Sequence, residues 1–262
     1  MHKMKSRTGG FTIIEVSLWI SITGLLMMLL LVGWNISINT QSYHDSTRSF
    51  ATFLQQQYTG IMDVTNDRDA KKTCSIQAGG TKAEVADAPT VETRGQTDCV
   101  LLGKYIYTDG TKAVSYTVIG KDKPDETIPA LTDEKQTFTK TAATVMKTSD
   151  GAAPTAYTIP WTPKLYEKSD VANTKLIIAI MRSPTTGAVY TRWTTTSVSV
   201  DDSSTPLDVF GTDATKYKTD ELVMCFDPQT AVTGERQAVR IEKNASSMNS
   251  VSVLTANAGC DP

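Results

Sequence analysis

The order of signals along this 262-residue chain predicts an α+β fold, one long amino-terminal helix followed by an antiparallel, β-rich head with insertions. Three observations carry that expectation. Apolar residues run almost unbroken from Phe11 to Asn39 and then recur at spacings of three and four to Met62. After them, short stretches of Thr, Val, Ile and Tyr alternate with Gly, Pro, Asp and Asn. Four cysteines, none in CxxC spacing, all fall in this second part, which suits disulfides in an oxidising compartment better than a metal site. The expected division is 1–10, a basic leader; 11–65, the helix; and 66–262, the head.

Between Phe11 and Asn39 the only formal charge is Glu15. A bilayer core of roughly 30 Å takes about 20 helical residues, so 11–38 is long enough to span one. The carboxylate is the odd feature, because an acid inside a lipid-facing helix costs on the order of 2.5 to 3.5 kcal/mol. Beyond Ile38 the helix turns amphipathic. Phe50, Phe53, Leu54, Tyr58, Ile61 and Met62 share a stripe, while Asp45, Arg48, Gln55, Gln56 and Gln57 take mostly other faces. Gly60 or the Asn66, Asp67, Asp69 cluster is expected to end it. A helix from Phe11 to about Val64 is roughly 80 Å long. Gly24 and Gly33 weaken it locally or allow close helix packing.

Ahead of the helix, Lys3, Lys5 and Arg7 stand without an acid, which places that end on the cytoplasmic side and the head outside. An ordinary signal peptide has a shorter apolar core with its cleavage site behind it, whereas here the pair Gly9, Gly10 precedes the run. A cut between Gly10 and Phe11 creates an ammonium four residues before Glu15, able to pair with the carboxylate of a neighbouring copy. With this arrangement of basic leader, Gly10, Phe11, Glu15 and apolar helix, the chain resembles the type IV pilin and pseudopilin family. The resemblance covers residues 1 to about 60. It departs where many relatives have a proline, since Val32 stands there.

In the head, residues 66–98 read as an irregular polar segment, bracketed by Cys74 and Cys99. Val100 to Tyr107 and Ala113 to Ile119 read as a hairpin turning at Asp109 and Gly110. Further strands are expected at Thr137 to Met146, Leu176 to Met181, Ala188 to Val200, Glu221 to Phe226, Ala238 to Glu242 and Ser250 to Leu254. The stretches 121–136 and 201–220 read as exposed insertions.

Catalysis is disfavoured, and no catalytic residue is assigned. His2 would leave with the leader, and His44 sits on the helix, far from a pocket suited to a general base. No metal or cofactor is expected. Neither Asp201, Asp202 and Asp208 nor Asn66, Asp67 and Asp69 has EF-hand spacing, and both read as solvated loops. The formal net charge of -2 makes nucleic acid an unlikely partner, although Arg68, Lys71, Lys72, Lys216 and Lys218 could touch phosphate. Trp161 and Trp193 read as core residues before surface ones. Asn244, Ala245, Ser246 fits a glycosylation sequon by chance.

The resemblance implies a structural subunit, not an enzyme. A membrane-embedded prepilin peptidase would cut after Gly10 and methylate the Phe11 amine. The inserted chain would leave the cytoplasmic membrane for an extracellular filament, held to other subunits through its helix at Phe11 and Glu15. The large head points to a minor subunit of a pilus, secretion or competence filament. The alternative is a signal-anchored adhesin that never polymerises. Four cysteines allow three pairings, and sequence does not select one. Tethering favours Cys74 with Cys99 and Cys225 with Cys260, the second like the carboxyl-terminal loop of many pilins. Cys99 with Cys225 is the competitor.

Overall fold

The computed structural model describes residues 12–62, 72–76, 83–87, 99–121, 144–145, 154–161, 163–170, 172, 174–195, 217–229, 236–255 and 259–260. The chain is α+β. Among the described residues one α-helix, α1 (Ile13–Met62), is followed by twelve strands, and every pairing between them is antiparallel. At 50 residues, α1 is about 75 Å long and runs through both Gly24 and Gly33.

The strands are β1 (Lys72–Ile76), β2 (Ala83–Asp87), β3 (Cys99–Thr108), β4 (Lys112–Lys121), β5 (Thr144–Val145), β6 (Thr155–Thr158), β7 (Lys164–Glu167), β8 (Leu176–Arg182), β9 (Val189–Thr194), β10 (Leu222–Asp227), β11 (Ala238–Ile241) and β12 (Val251–Leu254). They form a two-stranded sheet β1-β2, a four-stranded sheet ordered β12-β11-β10-β7, and a six-stranded sheet ordered β5-β4-β3-β8-β9, with β6 beside β4. A strand is present at each position expected from Leu176 onward, with residues 196–200 of the expected Ala188 to Val200 lying outside the described residues. Of Thr137 to Met146 only β5 is described, and the rest lies outside the described residues, as do most of the two expected insertions.

The expectation of an irregular segment at 66–98 needs correcting, because β1 and β2 pair within it from Lys72 opposite Asp87 to Ile76 opposite Ala83. Neither carries the strong apolar alternation that marks a strand. The Cys74–Cys99 disulfide ties β1 to β3, and a Lys72–Asp87 ion pair at 2.8 Å crosses from β1 to β2. Cys74 and Ala83 pack with Ile119 on β4. β6 and β7, with four residues each around Pro160 and Pro163, were also not expected.

Period-2 alternation explains how the sheets share one core. On β8, Leu176, Ile178 and Ile180 join a cluster with α1, while Ile177, Ala179 and Met181 pack on the opposite face with Leu102, Tyr105, Val118 and Tyr217. β10 does the same: Leu222, Met224 and Phe226 face α1, and Val223 and Cys225 join Tyr166, Ala238 and Cys260. Both larger sheets therefore contribute to the cluster that receives the helix. A bulge against β4 falls between Leu101 and Gly103, and the missing side chain of Gly103 lets β3 lie close to β8, since a Cβ there would come within 2.1 Å of the Ile180 carbonyl oxygen.

The β3–β4 turn follows the expected residues. Gly110 takes φ +94°, and one Asp109 carboxylate oxygen accepts from the backbone N–H of Thr111 and of Lys112, both at 2.8 Å. Partial burial opposes the charge on Asp109, but these backbone donors win and hold its carboxyl below the ordinary value. A lowered carboxyl pKa stabilises the fold above the unfolded-state pKa, and that contribution is lost as pH falls through the folded-state value. Asp109→Ala should accordingly lower the melting temperature at neutral pH by more than it does in acid. Melting curves across pH check this, and an equal deficit throughout would remove the carboxylate from the account.

Candidate functional site

The candidate site is the first half of α1 and its start. Among the described residues it is the one helix long and apolar enough to cross a membrane, and none of its most apolar stretch is buried in the molecule. Leu25 through Val32, Trp19 and Trp34 are all exposed. The hydroxyls inside the run turn back on the helix: Ser17 donates to the Ile14 carbonyl at 2.9 Å, Ser21 to Ser17 at 2.9 Å and Thr23 to Trp19 at 2.8 Å. Such internal bonding is what a lipid environment demands, because hydrocarbon offers no partners. A Cβ on Gly24 or Gly33 would meet nothing within 4 Å, so any close packing there needs a second chain.

Glu15 lies in the first turn of α1 and has a local role that the sequence reading missed. Its backbone N–H donates to the Thr12 hydroxyl at 3.3 Å, and its carboxylate accepts from the Thr12 backbone N–H at 3.5 Å. This is a capping box, spelled by Thr12, Ile13, Ile14, Glu15, and the Thr-x-x-Glu spacing was its available signal. The bonds are long, so the carboxylate keeps most of its capacity for a stronger, charged partner. Gly10, Phe11 and the basic residues of the leader lie outside the described residues.

The second half of α1 fastens the site to the head. Tyr43, Ser46, Thr47, Phe50, Ala51, Phe53, Leu54, Gln57, Tyr58 and Ile61 are buried, whereas Met62, expected in the stripe, is exposed. Phe50 packs against the rings of Phe53, Tyr157 and Phe226. Polar bonds fix the helix along its length. The Tyr43 hydroxyl donates to the Phe226 carbonyl at 3.0 Å and accepts from the Gln237 N–H at 2.7 Å. Ser115 donates to the Gln57 side-chain oxygen at 2.7 Å. The Thr191 hydroxyl donates to the Ala245 carbonyl at 2.7 Å, so Tyr58 is the donor in its 2.9 Å bond to Thr191. Burial pushes the Tyr58 hydroxyl up to about 12, which keeps that donor proton in place at any physiological pH.

Other residues singled out by sequence fall as follows. The disulfides are Cys74–Cys99 and Cys225–Cys260, and the Cys99–Cys225 alternative is excluded. The second joins β10 to the carboxyl-terminal segment on the sheet face away from α1, where Tyr166 donates to the Cys260 carbonyl at 2.8 Å. Trp193 is a core residue as expected, with its indole N–H donating to the Asp220 carbonyl at 2.9 Å. Trp161 is not: it is 64% exposed. Lys72 pairs with Asp87, and Lys218 lies over the Trp193 ring at 4.6 Å, so both are engaged within the molecule. His44 is half-buried with its ring edge-on to Tyr43. Arg68, Lys71, Lys216 and both sets of candidate calcium ligands lie outside the described residues.

Comparison with family models, with characterised proteins and with solved structures finds nothing that matches this chain, so its functional reading rests on its own residues.

Proposed function

We propose that this chain is a membrane-inserted precursor whose mature form is a structural subunit of a type IV pilus or pilus-like filament, built through its amino-terminal helix. The observation that carries the reading is the apolar half of α1, exposed from Ile13 to Asn35 with Glu15 as its single charge. Gly10 and Phe11 lie just ahead of it. A prepilin-type peptidase cutting after Gly10 would leave the Phe11 ammonium one helical turn from Glu15, and a neighbouring subunit's ammonium would complete the ion pair. Removal of Lys3, Lys5 and Arg7 would leave the amino-terminal segment free of lysine and arginine as far as Arg48.

Intact-mass measurement of sheared surface filaments tests the reading. The expected chain begins at Phe11 and carries one added methyl group. Assembled protein that still begins at Met1 would overturn the proposal. The capping box favours a second reading, since it gives Glu15 a use in an uncleaved signal anchor that needs no neighbour. That anchor would stay with the membrane fraction and be missing from sheared filaments.

A further inference from the structure

We propose that the turn bearing Trp161 seats on the outer surface of the lipid bilayer, so that the head docks on its own membrane while the chain is inserted. The inference rests on the membrane-anchored reading of α1 and on nothing about filament assembly.

The turn follows β6 and descends along the helix towards its apolar half. Ser46 donates to the Pro160 carbonyl at 2.6 Å, and the next residue, Trp161, reaches a cleft of about 310 Å³ that it shares with Ile38, Tyr43, Pro163 and Pro228. Trp161 adopts φ +65°, a left-handed backbone that bulky residues rarely take. Fastened at Pro160 and turned in this way, the indole stays 64% exposed rather than folding into the core as Trp193 does. An observed backbone exception that presents a large aromatic outward points to a contact outside the monomer.

Depth identifies the contact. From Ile13, a helix rising 1.5 Å per residue reaches Trp34 after about 32 Å and Ile38 after about 38 Å. An average tilt of about 20° reduces these to about 30 and 35 Å. With Ile13 set at the inner edge of a hydrocarbon layer roughly 30 Å thick, and the headgroup layers bringing the total to about 40–45 Å, Trp34 stands at the outer edge of the hydrocarbon. Ile38, and with it the floor of the Trp161 cleft, then falls within the outer headgroup layer. Chemistry agrees with position. Tryptophan favours this layer, where its ring is half-immersed and its N–H stays hydrated. Pro163 and Pro228 beside it have no N–H to desolvate. Trp34 and Trp161 thus make two points of one aromatic belt, one on the anchor and one on the head.

The test uses the full uncleaved chain in phosphatidylcholine vesicles containing lipids with a nitroxide either on the headgroup or on the upper acyl chain. Emission lost on Trp161→Phe, and separately on Trp34→Phe, assigns the quenching to each ring. Both replacements are at exposed positions. The expected result is that headgroup nitroxide quenches the Trp161 signal more than acyl nitroxide does, as for an interfacial indole, and that acyl nitroxide quenches Trp34. Quenched Trp34 with unquenched Trp161 would overturn the docking while leaving the anchor intact. Trp161 unquenched in vesicles but shielded in filaments would assign the turn to a neighbouring subunit instead, and would also overturn it. If neither ring is quenched, the membrane reading itself is lost.

Discussion

Replacing Glu15 with valine should leave membrane insertion at least as efficient and reduce incorporation into filaments by about a hundredfold. The first half follows from removing a carboxylate that costs on the order of 2.5 to 3.5 kcal/mol in a lipid-facing helix. The second follows, on the proposed filament reading, from stranding the Phe11 ammonium of a neighbouring subunit in the filament core. Removing one partner of a buried ion pair costs about 3 to 5 kcal/mol, and about 3 kcal/mol is already a factor of a hundred in association. Because Glu15 also closes a capping box with Thr12, valine alone would confuse helix initiation with assembly. Glu15→Gln separates them, since glutamine keeps the box and discards the charge. Both variants should insert, and both should fail to assemble. Filaments of normal yield from the glutamine variant would mean that the ion pair is dispensable. The measurement is the ratio of this chain in sheared filaments to that in the membrane fraction.

Phe50→Ala should destabilise the head by about 3 to 5 kcal/mol, a large fraction of the margin of most domains. Phe50 is fully buried, and its ring meets one ring from its own helix, one from β6 and one from β10. The void left by truncation would lie where both larger sheets meet α1, so no single element can move in to fill it. Chemical unfolding of the full chain in detergent gives the value. A loss below about 1 kcal/mol would mean that this joint collapses freely or is not the fold's keystone.

The sequence exposed the parts of this architecture that depend on strong periodicity. LeuIleIleAlaIleMet at Leu176–Met181 is apolar at every position because β8 is buried on both faces, and that continuous run marked it as a strand. The helix stripe was legible only from Phe50 onward. Its first two turns bury Tyr43, Ser46 and Thr47, and small hydroxyl residues do not register as an apolar face even when they are wholly enclosed. Local tethering identified both disulfides, yet the β1–β2 pairing beside one of them stayed hidden, since Lys72, Ala83, Ala86 and Asp87 carry little strand signal. Trp161 was misplaced for a related reason. Residue type alone favours burial of tryptophan, and only the backbone around Pro160 decides that this one points outward. At the site, Glu15 stood out as a lone charge, but the partner at Thr12 required attention to the helix start as well as to the charge.

The two disulfides differ in when they can form. A chain delivered outward from its amino terminus presents Cys74 and Cys99 while Cys225 is still about 125 residues behind, roughly 6 to 25 s at ordinary rates of synthesis. Oxidation proceeds in seconds at its fastest, so the early pair can close before a competing thiol exists. Cys225 then waits for Cys260, the last cysteine made, and meets no other free thiol within the chain. In a chain exported as it is made, the order of delivery thus favours the observed pairing over the two alternatives before folding selects between them.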